Sequence, residues 1–146
     1  MMKKTKFYKI LNDNSPGGDL KDSKGDPNRK IYFTRIYMGG LEEMHGYSID
    51  ERLYEYFEYK PFKTIEDTRH YLQKLIDLEG DESGNRTAIC WFIRRIADDG
   101  LIGTARLVDI DYKKQSVSWG YAIDPELWGE GYIFEIQELL KEYVFE

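Results

Sequence analysis

The chain reads as a single α+β domain: a strand, then helices, then a three-stranded meander, then a closing helix. Three observations carry that reading. After an opening strand, the apolar residues first fall at helical spacing, change to sheet-like runs near residue 87, and return to helical spacing beyond residue 130. Turn signals at Asp98-Asp99-Gly100 and Tyr112–Gln115 cut the middle stretch into three strands joined by hairpins. A chain of 146 residues, 41% apolar and 15% aromatic, can also enclose one core, because a chain this long buries about two-thirds of its unfolded surface.

Each element has a local cause. Residues 12–30, NDNSPGGDLKDSKGDPNRK, are turn chemistry with Leu20 as the only large apolar side chain, so residues 1–30 are predicted to be a flexible basic leader. The domain proper is predicted over 31–146. Lys30–Tyr37 is rich in β-branched and aromatic residues and closes at Gly39-Gly40, which predicts the first strand. Two short helical stretches follow, Leu41–Gly46 and Asp50–Phe57. Thr64 opens a stronger helix, with Asp67 three residues on in a capping-box position and apolar residues mostly three or four apart as far as Leu78. Thr87–Ile96 has a continuous apolar centre, the mark of a strand covered on both faces. Leu101–Asp111 and Ser116–Ile123 complete the meander. In the last helix Tyr132, Ile136, Leu140 and Tyr143/Val144 form one apolar stripe.

Composition excludes several classes of function. Cys90 is the only cysteine, so neither an intrachain disulfide nor a thiolate-rich metal site can form, and no metal is expected. Mid-strand between Ile89 and Trp91, it reads as inert core. His45 and His70 read as helix-surface residues. No window holds the ~18 uninterrupted apolar residues of a membrane span. The opening MMKKTKFYKIL lacks the apolar segment of a secretion signal, which points to a cytoplasmic domain. Charge is uneven: residues 1–30 hold eight Lys/Arg against four Asp, and the remainder hold 13 basic against 23 acidic side chains. An acidic body repels phosphate backbones, so nucleic acid is not an expected partner.

The informative stretch runs from Ser116 to Tyr132: a strand, a loop with Gly129-x-Gly131, then a helix. Glycines at such a turn let backbone amides approach a ligand, and the helix start adds unpaired N–H groups and a positive dipole end. This is the chemistry of an anion site. It is not a dinucleotide or Walker fingerprint, since the third glycine and the Gly-Lys-Ser/Thr are missing.

Leu101-Ile102-Gly103-Thr104-Ala105, then Trp119-Gly120-Tyr121-Ala122-Ile123-Asp124-Pro125, then Leu127-Trp128-Gly129-Glu130-Gly131-Tyr132, taken in order, resemble the GNAT superfamily of N-acetyltransferases. The branch most similar is the one that acetylates protein N-termini, ribosomal proteins included, with its drug- and sugar-modifying relatives. The resemblance covers about residues 30–146. It implies a GNAT-like mixed sheet with flanking helices. It also implies an N-acetyltransferase using acetyl-CoA as co-substrate and a small-molecule or peptide amine as acceptor. Backbone groups near Tyr121, Ala122 and Ile123 would pair with the pantetheine arm. Amides from Trp128, Gly129, Glu130, Gly131, Tyr132 and Ile133 would hold the pyrophosphate. Tyr54, Tyr56, Phe57 and Phe62 would wall the acceptor.

Against the family's pattern, this chain differs in four ways. It ends at Glu146, where the family's helix would lead to a fifth strand, so the fold is expected to be C-terminally truncated. Glu126 and Glu130 stand where the loop usually carries Gln, Arg or Lys, and Arg94, Arg95 or Arg106 are candidates to offset them. Ile133-Phe134 replaces the usual Ala-Thr. Ser118 takes the place of a common Glu, leaving water ordering as its expected role, with Asp109 and Asp111 as substitute bases. The alternative reading is an inactive binding module whose open sheet edge pairs with a partner chain or a second copy.

Overall fold

The computed structural model describes residues 28–55, 62–78, 88–111 and 113–144. Four strands lie in the order β1-β2-β3-β4: β1 Ile31–Arg35, β2 Ile89–Arg95, β3 Leu101–Asp111 and β4 Ser116–Ile123. The three pairings are all antiparallel, so the mixed sheet expected from the resemblance is not what the described strands form. A parallel neighbour would have to follow a crossover helix, and among the described residues α3 is the last element. The predicted meander is present with its turns, Asp99 and Gln115 taking the left-handed backbone (φ 58° and 53°) that tight connections demand.

Helices cover both faces. Helix α1 (Leu41–Ser48) and α2 (Ile65–Leu78) pack on one side with Cys90, Phe92 and Leu101, and α3 (Tyr132–Val144) packs on the other with Ile89, Trp91, Ile93 and Leu107. Alternate residues of β2 thus enter opposite cores, which is why its sequence is apolar throughout. Trp91 is fully buried, stacked on Phe33 (5.6 Å between centroids) and meeting Tyr143 of α3 edge-on (5.0 Å).

The capping box of α2 is as read: the Asp67 N–H donates to Thr64 Oγ1 (3.2 Å), and the Thr64 N–H returns to Asp67 Oδ2 (3.2 Å). Between α1 and the segment 56–61, the predicted helix over Asp50–Phe57 is instead a 3-10 turn at Glu51–Tyr54, capped by the Asp50 side chain. His45 is not a plain surface residue, because its Nδ1 lies 2.7 Å from Thr68 Oγ1 and ties α1 to α2. The leader up to residue 27 lies outside the described residues. Its final residues are anchored to α3: Arg29 pairs with Glu138 and Glu142 (3.1 and 2.6 Å), and the Lys30 N–H donates to Glu135.

Candidate functional site

The end of β4 and the turn beyond it bring the predicted residues together. The Asp124 N–H donates to the Ile102 carbonyl on β3 (2.8 Å). Strand alternation then turns the backbone groups of Ala122 toward β3 and those of Tyr121 and Ile123 toward the open edge. Of the three residues expected to pair with pantetheine, Tyr121 and Ile123 present their backbone there, whereas Ala122 contributes its methyl to the α1/α2 face. The Ile123 carbonyl already accepts a bond from the Trp128 indole N–H (3.1 Å), which fixes the loop against the strand. Among the described residues β4 pairs with β3 alone.

Pro125–Leu127 forms a 3-10 turn capped by Asp124, and Gly129 and Gly131 follow with φ of 87° and 85°. L side chains rarely adopt that backbone, and a Cβ at either glycine would meet nothing within 4 Å, so the outer side of the loop is open. The amides of Gly129, Glu130 and Gly131 have no backbone partner among the described residues, and they lead into the first turn of α3. Tyr132 is buried and Ile133 half-buried, while Trp128 and Phe134 are exposed.

The acidic character of this loop is offset in part, though not by the arginines expected. Arg94 pairs with Glu43, Arg95 with Asp98, and Arg106 turns into a cavity. Arg52 does the work instead, pairing with both Asp50 (2.6 Å) and Glu126 (2.5 Å). Its guanidinium pKa is pushed up, first by the hydrogen bond to Asp50 and next by that to Glu126. On α3, Glu138 pairs with Arg29, and Glu135 accepts the Lys30 backbone N–H. Among the described residues neither Glu130 nor Asp124, which accepts the Glu126 N–H, is paired with a cationic side chain. Donors on the helix start and an open glycine loop fit a pyrophosphate, with Glu130 between the glycines as a carboxylate opposing it.

On the α1/α2 face lies a cavity of about 30 Å³, room for a water or two, lined by residues that include Tyr47, Tyr54, Phe62 and Ala122. Of the four residues expected to wall the acceptor, Tyr54 and Phe62 line this cavity and are in ring contact at 5.3 Å, and Tyr56 and Phe57 lie outside the described residues. Burial pushes the phenol pKa of Tyr47 up, and that of Tyr54 likewise. Ser118 is exposed on the same face of β4, two residues before Gly120, and does not line the cavity. Asp109 is exposed at an irregular point of β3, and Asp111 accepts from the N–H groups of Lys113 and Lys114, so neither behaves as a base aimed at the site. Tyr47 escaped functional notice in the sequence and Arg106 was expected only to offset the loop glutamates, because it is the register that places both with Thr104 in one cavity.

The family model for the acetyltransferase (GNAT) domain matches residues 39–146. The chain belongs to the GNAT acetyltransferase family. A GNAT-family acetyltransferase from Bacillus anthracis aligns over 77% of this chain and 61% of its own, at 19% identity and a TM-score of 0.61. The spermidine N-acetyltransferase from Vibrio cholerae, solved with CoA and spermine, gives 19% identity and 0.61 over 80% of this chain and 64% of its own. The microcin C7 self-immunity acetyltransferase MccE, solved with acetyl-CoA and AMP, gives 20% and 0.60 over 80% and 63%. At these identities the likeness is one of fold. The chain spans less than two-thirds of the length of these structural relatives. Comparison with curated protein sequences finds no match.

Proposed function

We propose that this GNAT domain transfers the acetyl group of acetyl-CoA to a primary amine by direct attack in a ternary complex. The observation that carries the reading is the continuity of the outward backbone of Tyr121 and Ile123 with the glycine loop and the start of α3. The strand edge suits an extended pantetheine arm and the loop suits its pyrophosphate. The neutral amine attacks the thioester carbonyl carbon, the C–S bond breaks, and the thiolate leaving group takes up a proton. An edge N–H of β4 is the donor available to the developing oxyanion. Ser118, on the acceptor face, orders a water that carries the amine proton away. The order of the motifs favours the branch that acts on protein N-termini and related amines.

A second reading rests on the same open edge: a domain that pairs through β4 with another chain or a second copy. A groove of about 410 Å³ between β4 and α3, lined by Val117, Trp119, Leu140 and Val144, favours it. Calorimetric titration with acetyl-CoA separates the two. Saturable binding near 1:1 supports transfer. No heat at ~100 μM ligand, where a productive site worth more than about −5.5 kcal/mol would register, would leave the pairing reading.

A further inference from the structure

The first turn of α3, which follows the glycine loop, is held from beneath by the β2–β3 hairpin. Along β2 the side chains of Trp91 and Ile93 enter the core under α3, and strand alternation puts Arg95 next in that row. The Arg95 guanidinium is set by Asp98, with Nε and Nη2 donating to its two carboxylate oxygens at 3.1 and 2.8 Å. It donates as well to the Tyr132 hydroxyl. Tyr132 is the first residue of α3, follows Gly131 directly and is only 8% exposed. The Lys30 ammonium lies over the same ring, 5.9 Å from its centroid, while the Lys30 backbone N–H donates to Glu135 (2.6 Å). The hairpin that carries Arg95 is itself fixed. The Arg95 N–H donates to the Gly100 carbonyl (2.9 Å), the Asp99 N–H to the Arg95 carbonyl (2.8 Å), and the Gly100 N–H to Asp98 Oδ1 (3.0 Å). Tyr32 of β1 donates to the Asp99 carboxylate, and Arg94 donates to the Asp99 carbonyl (2.8 Å).

Gly129 and Gly131 give the loop a backbone freedom that, left alone, would scatter the direction of its amides. A side chain fixed immediately beyond them removes much of that freedom, because Tyr132 shares a peptide bond with Gly131. We propose that Arg95 is a positioning residue for acetyl-CoA: through the Tyr132 hydroxyl it aims the amides at the start of α3 toward the pyrophosphate before the ligand arrives. Amides already aimed spare the ligand the cost of ordering them. The part Arg95 plays is orientation rather than charge, since its guanidinium is committed to Asp98. The ring of Tyr132 belongs to the core beneath α3 and its hydroxyl to the tie with Arg95, so the two roles part when one oxygen is removed. The inference rests on the acetyl-transfer reading and adds to it the residue that orients its cofactor loop.

The test titrates the full chain with acetyl-CoA and with S-acetylpantetheine, which has the arm but no pyrophosphate. Tyr132→Phe keeps the ring and loses only the hydroxyl. It is expected to weaken acetyl-CoA binding about 5- to 20-fold in calorimetry, and Arg95→Gln by a similar factor. The double variant should lose no more than the larger single loss, because the two residues act in series. Both losses should persist as salt is raised, as orientation requires and a charge effect does not. Binding of S-acetylpantetheine, followed by ligand-observed NMR, should stay within about twofold of the wild type, which a general loosening of the fold would not allow. If Arg95→Gln does not fold, Tyr132→Phe decides the matter. Unchanged acetyl-CoA affinity in Tyr132→Phe, additive losses in the double variant, a loss that salt abolishes, or an equal loss for S-acetylpantetheine would each overturn the inference. A wild-type chain that binds no acetyl-CoA would overturn the transfer reading and this inference with it. A wild type that binds, with variants that match it, would overturn the inference alone.

Discussion

At the scale of single residues, the chemistry of the loop turns on how its carboxylates are held. Arg52 sits 74 residues before Glu126 and is joined to it at 2.5 Å, so the loop meets its ligand with that charge offset. Glu130, between the two glycines, has no such help. Glu130→Gln is expected to tighten acetyl-CoA binding about two- to five-fold at low salt, with the gain shrinking as salt rises. Arg52→Ala should weaken binding by a similar factor, because it returns Glu126 to its full charge. Calorimetry at two ionic strengths checks both, and an unchanged affinity for Glu130→Gln would place the pyrophosphate elsewhere. No reading of the sequence could have chosen Arg52 over Arg94, Arg95 or Arg106. The choice depends on where the chain returns after α1, and that is set by packing rather than by local pattern.

Elements, by contrast, were legible wherever their cause is local. The cap of α2 involves residues three apart, and the hairpin at Asp98 involves residues two and three apart, so both stand as the sequence implies. Where a reading needed a partner from elsewhere, it failed or fell short. His45 has its bond across to α2, and the mixed sheet needed a strand that the described residues do not supply. These local devices also carry the acid response. The Asp98 carboxyl is held down to about 2, first by the hydrogen bond from Arg95 and next by the Gly100 N–H. Asp67 is lowered by the N–H groups of Lys63 and Thr64. A carboxyl lowered by folding stabilises the fold above its unfolded value of about 3.9, and that contribution disappears as pH falls through the folded value. Stability should therefore decline between about pH 4 and pH 2, and Asp98→Asn with Asp67→Asn should flatten that part of the profile in urea melts. Thr64→Ala is expected to cost about 1 kcal/mol at neutral pH, with faster amide exchange confined to the first turn of α2.

Across the whole molecule, one sheet is held by two cores, and Trp91 joins the larger of them from β1 to α3. Trp91→Ala should cost about 3–5 kcal/mol, enough to unfold a marginal domain, as circular dichroism during thermal melting would show. The site depends on that core, because α3 presents its first turn to the loop only while its stripe is seated on β2. Arg29 and Lys30 add a tie from the other end of the sequence, reaching α3 across 113 and 105 residues. On a ribosome adding about 5–20 residues each second, that tie must wait roughly 5–20 s after its first half emerges. The strand that follows it, Ile31–Arg35, waits for β2 as well. A segment made well before its partners is therefore among the later ones to settle, and a nascent chain would carry an apolar strand in need of shelter until α3 is complete.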